Sequence, residues 1–468
     1  MAERRHTDIA VIGAGPAGMA AALTLSEAGL RPVVFDMNAT PGGQIYRQLA
    51  APQVDATLMG QEYIAGRSLV DAFVTADIDY RPLSRVWWLD RDGEGYVLGV
   101  LQQGHSQQWH ADRLILASGA MERGWPFPGW QLPGVMYAGA AQILLKQAAL
   151  LPSAAPILAG SGPLLYLLAW QYLQAGRPPA LVLDMAPASR YRTLMRHPVR
   201  AWHGRSYLLK GMRLIADLRR AGVAIRQGVS GLRASGSDAL ERIHYRHAGT
   251  WRSLPGTLLL THFGVVPEPQ LMRSLQLRQH WQHEQQCFVP DRDATLSAGT
   301  NLWIAGDGGG IGGARNAERE GHLAGFAAIA SLGRQPTKRR SATTRRLLAA
   351  RRRDLAARPL LDALFRVPEG WLAEQPPETL VCRCEAVTRG ELDEAIAQGG
   401  SGPNQLKAFT RCGMGPCQGR QCGESVTRLL ASRTRRSPDD IGYYHIRPPV
   451  HSITLGELAA DDFDNTNN

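Results

Sequence analysis

Cysteine is scarce in this chain and almost absent from most of its length. Of six cysteines in 468 residues, five fall between positions 382 and 422, and only Cys287 lies upstream. That distribution excludes a disulfide framework spread through a secreted fold and fits a reducing cytoplasm. Long apolar runs are missing too. None reaches the roughly 18 to 20 residues of a bilayer-crossing helix, and the opening MAERRHTDIAVIG leads straight into a strand without an export signal. Nor is there a general excess of positive charge. The formal charge is +11, but residues 334–358 hold ten Lys or Arg against one acid, and the rest is near neutral with 42 basic and 40 acidic residues. No aromatics interleave with that basic stretch, so a solvated linker helix is expected there and no nucleic acid as partner. Leu347, Leu348, Leu355, Leu360, Leu361 and Leu364 would form its apolar stripe. No set of residues reads as a general base or nucleophile, so no catalytic residue is assigned.

What the chain does contain begins with DIAVIGAGPAGMAAALTLSEAGLRPVVFD. An apolar strand over Ile9–Ile12 runs into Gly13-x-Gly15-Pro16-Ala17-Gly18, then a small-residue helix, then a strand over Val33–Phe35 ending in Asp36. Gly13 permits the tight turn, Gly15 lets a pyrophosphate approach the backbone, and Gly18 lets helix and strand pack closely. The pyrophosphate would sit on the helix N-terminus, with Asp36 accepting from a ribose hydroxyl. A second glycine-rich strand end, PILAGSGPLLYLLAW, opens another such unit, whose acid is Asp184. Here Gly160 and Gly162 are in place but Leu165 stands at the third position, where a side chain would push helix and strand apart. This unit is therefore expected to persist as scaffold rather than to bind a nicotinamide nucleotide.

The C-terminal cysteines lie in VCRCEAVT and TRCGMGPCQGRQC. A Cys-x-Cys pair, Cys382 and Cys384, is followed after 27 intervening residues by Cys412 and Cys417, a Cys-x4-Cys pair. Four thiolates from a compact stretch are what an iron–sulfur cluster needs. Cys382, Cys384, Cys417 and Cys422 form a competing set with the same second spacing. A structural zinc is the bland alternative, though zinc sites more often use CxxC. Thr388-Arg-Gly-Glu391 has capping-box form before ELDEAIAQ, Gly399 and Gly400 would stop that helix, and a second helix is expected over roughly Glu424–Ser432. Cys287, alone in HEQQCFVPD, is read as an inert thiol.

Taken together these motifs resemble known families. TNLWIAGDGGGIGGARNAE, with Gly306 and Asp307, is similar to the second flavin motif of two-dinucleotide-domain flavoproteins, whose aspartate binds near the ribityl and pyrophosphate groups, and LILASGAMERGWPFPG, containing Gly119, resembles the segment leaving their first flavin half. Disulfide-reducing members carry a cysteine pair beside the flavin. This chain has PGGQIYRQ at the first such place, with Gly42, Gly43 and Gln44, and no cysteine in the second unit, which excludes a dithiol relay. Residues 378–432 resemble the bacterioferritin-associated ferredoxin-like [2Fe-2S] module, and the GMG loop between Cys412 and Cys417 resembles that of related modules, which favours the first ligand set.

The combination, with PFPGWQLPGVMYAGAAQILLK, FGVVPEPQL and NQLKAFTRCGMGPCQGRQC, resembles the larger flavoprotein subunit of hetero-oligomeric amino-acid and opine dehydrogenases. The resemblance implies an α/β fold in which a second Rossmann-like domain is inserted in the first, plus a small helical [2Fe-2S] domain. The expected segments are 1–150 and 266–333 for the two halves of the FAD domain, 151–265 for the inserted domain, 334–377 for the basic linker, 378–432 for the [2Fe-2S] domain and 433–468 for a tail. It implies FAD in the first site, or ATP as in some members, and in several members an FMN between subunits. A separate flavoprotein β subunit of amine-oxidase type would oxidise the carbon–nitrogen bond, with a small ferredoxin-like γ subunit in some assemblies. Electrons would leave to an acceptor such as a quinone, from a cytoplasmic complex peripheral to the inner membrane. The rival expectation is a self-sufficient NAD(P)H-dependent FAD/[2Fe-2S] oxidoreductase.

Overall fold

A computed structural model describes residues 5–52, 55–187, 190, 198–334 and 337–459. Residues 335–336 of the basic stretch and 460–468 of the expected tail lie outside these. Among the described residues the chain forms two Rossmann-like sheets joined side by side, with a small helical domain resting on both.

The first sheet has eight strands, and its parallel core runs 302–304, 105–116, 5–12, 33–35, 79–81. Its centre is the apolar run Ile9–Ile12, pairing with Val33–Phe35 on one side and Arg113–Leu116 on the other. The helix Pro16–Ser26 covers one face and packs along Ala314–Ser331. Small residues make that approach feasible: a Cβ at Gly321 would lie 2.0 Å from the Ala17 carbonyl oxygen. The close contact therefore depends on alanine and glycine along both helices.

The second sheet has five parallel strands in the order 224–227, 181–184, 157–160, 259–262, 135–137. Its edge strand Val135–Tyr137 precedes residue 151, so the boundary expected there falls inside this unit rather than before it. Three residues are too short a run to show a strand period, which is why the sequence did not mark it. A three-stranded antiparallel sheet, 229–235, 242–247 and 250–255, flanks the unit.

The basic stretch forms a helix over Lys338–Leu355, N-capped by Thr337, with no residue fully buried. Ion pairs tie it to the helix Ala314–Ser331: Arg351 to Glu320 at 2.8 Å, and Arg319 to Asp354. The shorter helix Arg358–Leu364 buries Leu360, Leu361 and Leu364. In the C-terminal domain the capping box of Thr388 and Glu391 is formed, opening Arg389–Ala397, and a further helix runs over Gly423–Thr434. The tail expected from residue 433 is not peripheral: Tyr443, Tyr444, Ile446 and Val450 are buried in the same core as Cys382 and Cys412.

Candidate functional site

At the end of the strand Arg5–Ile12 the backbone turns at Gly13, with φ +102°, and the helix begins at Pro16. A Cβ at Gly18 would lie 1.7 Å from the Gly13 carbonyl oxygen, so only glycine lets the helix start this close to the turn. Gly15 faces Gly43, where a Cβ would approach the Gly15 Cα to 2.9 Å, while Gly42 donates its N–H to the Ala14 carbonyl at 2.8 Å. The turn 13–18 and the pair Gly42–Gly43 thus form one bare backbone cradle. Asp36 is 5% exposed and accepts from the N–H of Ala14 at 2.5 Å and from the backbone and side chain of Asn38 at 2.7 Å.

The later motifs close on the same cradle. A Cβ on Gly13 would meet the Ala117 carbonyl oxygen at 2.4 Å, and one on Gly306 would meet the Ala17 Cβ at 2.9 Å. Gly119 adopts φ +73° beside Ser118, and the Ser118 hydroxyl is buried with no partner, 3.1 Å from where a Gly308 Cβ would be. Asp307 accepts from the N–H groups of Gly312 and Gly313 at 2.8 and 2.9 Å, at the start of the helix Ala314–Ser331, and burial raises its pKa. An orphaned buried hydroxyl and open glycine backbone over two helix starts fit a dinucleotide such as FAD.

One lysine here was not singled out from the sequence. Lys146 donates to the carbonyls of Gln44 and Ile45, both at 3.0 Å, and lies over the Tyr63 ring. Burial, reinforced by Arg47, pushes its pKa down to about 7. Its only signal was a lone charge in an otherwise uncharged helix, AGAAQILLKQA.

The second Rossmann turn is built differently. Leu165 is fully buried in the core. Asp184, the acid that would hold a ribose, accepts from the Arg190 guanidinium at 2.6 Å, the Ala186 N–H at 2.9 Å and the Tyr166 hydroxyl. The His262 ring fills the space beside Gly162, with its Nδ1 2.7 Å from Glu122, and Ser161 donates to the Phe365 carbonyl of the linker at 3.2 Å. The acid's lone pairs are committed within the protein, and the turn is covered.

The five C-terminal thiols form a trio and a pair. The sulfurs of Cys382, Cys412 and Cys422 lie within 4.8 Å of one another, all buried. Cys384 is exposed, and its thiol is within hydrogen-bonding reach of Cys417. The thiols of Cys412 and Cys422, with the backbone N–H groups of Gly413 and Glu385, hold the Cys382 pKa far below the usual thiol range. A thiol in a nest of N–H donors, with two further buried thiols beside it and the Cys384–Cys417 pair in the same loops, fits the donor set of an iron–sulfur cluster. Cys422 joins Cys382 and Cys412 as the fifth thiol. Cys287 is distant in role: buried, with its pKa pushed up to about 12, mainly by desolvation.

Residues that no motif announced complete this centre. The Tyr444 hydroxyl lies 3.5 Å from the Cys412 sulfur, and its ring occupies the space a Gly413 Cβ would need. Behind the thiols the domain is docked by buried charge. Glu424 accepts from Arg123 and, at 2.9 Å, from Arg428, while Arg123 and Arg428 donate to the Gln286 carbonyl at 2.9 and 2.7 Å. A Cβ at Gly124 would lie 1.8 Å from the carbonyl oxygen of Gln421, the residue before Cys422. The segment leaving the first flavin half thus touches the cysteine loop itself.

The fold and the paired sites define a pyridine-nucleotide-type oxidoreductase fused to an iron–sulfur domain. Residues 7–321 match the family model "Pyridine nucleotide-disulphide oxidoreductase" and residues 380–432 match "BFD-like [2Fe-2S] binding domain". The chain belongs to this oxidoreductase family, within a group that includes the A-subunits of opine oxidases. It is 43% identical to the opine oxidase A-subunit of Agrobacterium tumefaciens (strain Ach5), over 97% of this chain and 91% of that one. It is 31% identical to Hydrogen cyanide synthase subunit HcnB of Pseudomonas aeruginosa, over 95% of this chain and 96% of that one. The fold is also that of L-proline dehydrogenase from P. horikoshii, with a TM-score of 0.72 at 19% identity, covering 97% of this chain and 80% of that one.

Proposed function

We propose that this chain is the electron-transfer subunit of a hetero-oligomeric amino-acid or opine dehydrogenase, with the carbon–nitrogen bond oxidised in a partner β subunit that carries its own flavin. The observation that supports this reading most directly is the contact of Gly124 with Gln421, which sets the cysteine loop against the flavin-type domain. The names of the similar proteins, the opine oxidase A-subunit and HcnB, point to the same division of labour. Gly13, Gly15, Pro16, Ala17, Gly18, Asp36, Gly42, Gly43, Gln44, Gly119, Gly306 and Asp307 would hold the adenine dinucleotide, read as FAD with ATP as the competing occupant. Cys382, Cys384, Cys412 and Cys417 would hold a [2Fe-2S] cluster. A flavin supplies the ability to take electrons in pairs and release them singly, which a one-electron cluster requires upstream. This chain's residues would position both groups and keep water from the buried thiols. An FMN between subunits, a quinone acceptor, a γ subunit, and peripheral attachment to a membrane through the complex belong to the same reading.

The His262 ring beside Gly162 and the Leu165 side chain at the third motif position speak against the self-sufficient NAD(P)H reductase. The deciding experiment is co-expression with the partner flavoprotein. The pair should copurify and reduce a dye with an opine, D-hydroxyproline, proline or glycine as donor, while this chain alone should not. Loss of the cluster should slow dye or quinone reduction without abolishing substrate reduction of the partner's flavin. Vigorous turnover by the isolated chain would overturn the relay.

A further inference from the structure

The cysteine centre has an inside and an outside. Cys382, Cys412 and Cys422 are buried toward the body of the protein, whereas Cys384 is exposed. The loop 413–417 lies directly over that exposed thiol, for a Cβ at Gly415 would stand 2.2 Å from the Cys384 Cβ.

Around this outer edge the surface has a distinct chemistry. Phe409 is 60% exposed and Met414 45% exposed, two large apolar side chains a short step in sequence from the ligand thiols on either side of Cys412. The charged residues beside them are nearly all basic. Arg383 is exposed between the first two cysteines and lies 5.1 Å from the Trp130 ring centroid. Lys407 is held over the Tyr444 ring at 5.6 Å, and Arg411 extends into solvent with 69% of its side chain exposed. The one carboxylate in this set, Glu385, is paired with Arg411 at 2.8 Å and leaves the face net positive. Exposed apolar side chains on both sides of Cys412, with basic side chains in the same cysteine segments, suit a transient partner of opposite charge, steered by charge and seated by a modest apolar contact.

We propose that this face is where an acidic protein electron carrier docks to collect electrons from the cluster. The inference rests on the relay reading and places a protein carrier between the cluster and the quinone acceptor. The carrier takes one electron per encounter, so two encounters clear the pair released when one CH–NH unit is oxidised to C=N. The two protons of that oxidation leave to water upstream of this face.

The test uses the full chain in its copurified complex and, as probe, an oxidised plant-type [2Fe-2S] ferredoxin, a strongly acidic carrier. Calorimetry at low ionic strength should detect its binding, and binding should weaken with added salt. The double variant Lys407→Glu/Arg411→Glu should weaken it by about tenfold or more, with the iron content, visible spectrum and rate with a small neutral dye unchanged. Phe409→Ser should weaken binding without changing its salt dependence. Binding of the ferredoxin that is unaffected by charge reversal, in a protein with its cluster loaded, would overturn the docking proposal alone. Loss of the β subunit from Phe409→Ser or Met414→Ser preparations would also overturn it, by assigning the face to that subunit. Absence of iron and sulfide from the unmodified protein would sink the relay reading and the proposal with it.

Discussion

Glu424 gives the sharpest test of how the cysteine domain is held. Its side chain is 12% exposed and serves two guanidinium groups, those of Arg123, 5% exposed, and Arg428, 15% exposed. Burial lowers the Arg428 pKa only to about 10, so it stays charged at neutral pH and needs a counter-ion. Glu424→Gln keeps the shape and one acceptor but leaves two buried cations facing a neutral amide. Removing one member of a buried pair costs about 3–5 kcal/mol, and two stranded partners place this variant toward the upper end. With a urea dependence of about 1–3 kcal/mol per molar, release of the domain should move to lower urea by about 2 M. Arg428 lies within 5.8 Å of the Trp125 ring centroid and 5.1 Å of Trp281, so tryptophan fluorescence reports on this joint. The penalty comes from uncompensated charge rather than from lost packing. The triple replacement Arg123→Met, Glu424→Leu, Arg428→Met should therefore recover part of it, the remainder being the Gln286 carbonyl left without its guanidinium donors. A shift below about 1 kcal/mol for Glu424→Gln, or a triple variant no better than the single one, would refute this account of the joint.

Cys382→Ser, Cys384→Ser, Cys412→Ser and Cys417→Ser should each lose iron, measured with the visible spectrum, while the buried Cys287→Ser keeps it. If Cys422→Ser loses the cluster and Cys412→Ser retains it, the ligand set is the alternative one. Asp36→Ala should weaken retention of the bound nucleotide by about 1–3 kcal/mol; acid release and chromatography identify that nucleotide, and ATP without FAD would refute the flavin assignment. NADH and NADPH should reduce the protein slowly or not at all under anaerobic conditions, because the His262 ring fills the space beside Gly162 and Ser161 is engaged by the Phe365 carbonyl, so the pyrophosphate has no bare turn to approach. Lys146 titrates at about 7 when folded against an ordinary value of 10.5, so between these pH values the unfolded chain binds more protons. Its contribution to stability should then rise from pH 7 toward 10.5, and Lys146→Met should flatten that rise relative to the unmodified protein in urea titrations at each pH.

The parts whose chemistry is local were legible along the chain. A glycine at the turn, a glycine one helical turn later and an acid at the next strand end are demands of backbone geometry within about thirty residues, so GAGPAG and Asp36 were legible without a fold. The same holds for the capping box at Thr388 and Glu391 and for a thiol cluster packed into 41 residues, from Cys382 to Cys422. Which segments meet across long distances depended on the packed fold. The strand Val135–Tyr137 is too short to show a period and became part of the second sheet by pairing with Leu259–Thr261. Asp184 reads in sequence as a ribose acid, and only its neighbours Tyr166 and Arg190 show that its lone pairs are taken. Glu424 and Arg123 are 301 positions apart, and nothing in either local segment marks them as a pair. Tyr443 and Tyr444 sat in what read as a tail and were brought onto the cysteine loop. Desolvation is the common reason: whether a charge or hydroxyl is committed inside the protein depends on burial and on which distant segment arrives beside it, and neither is a property of the residues next to it in the chain.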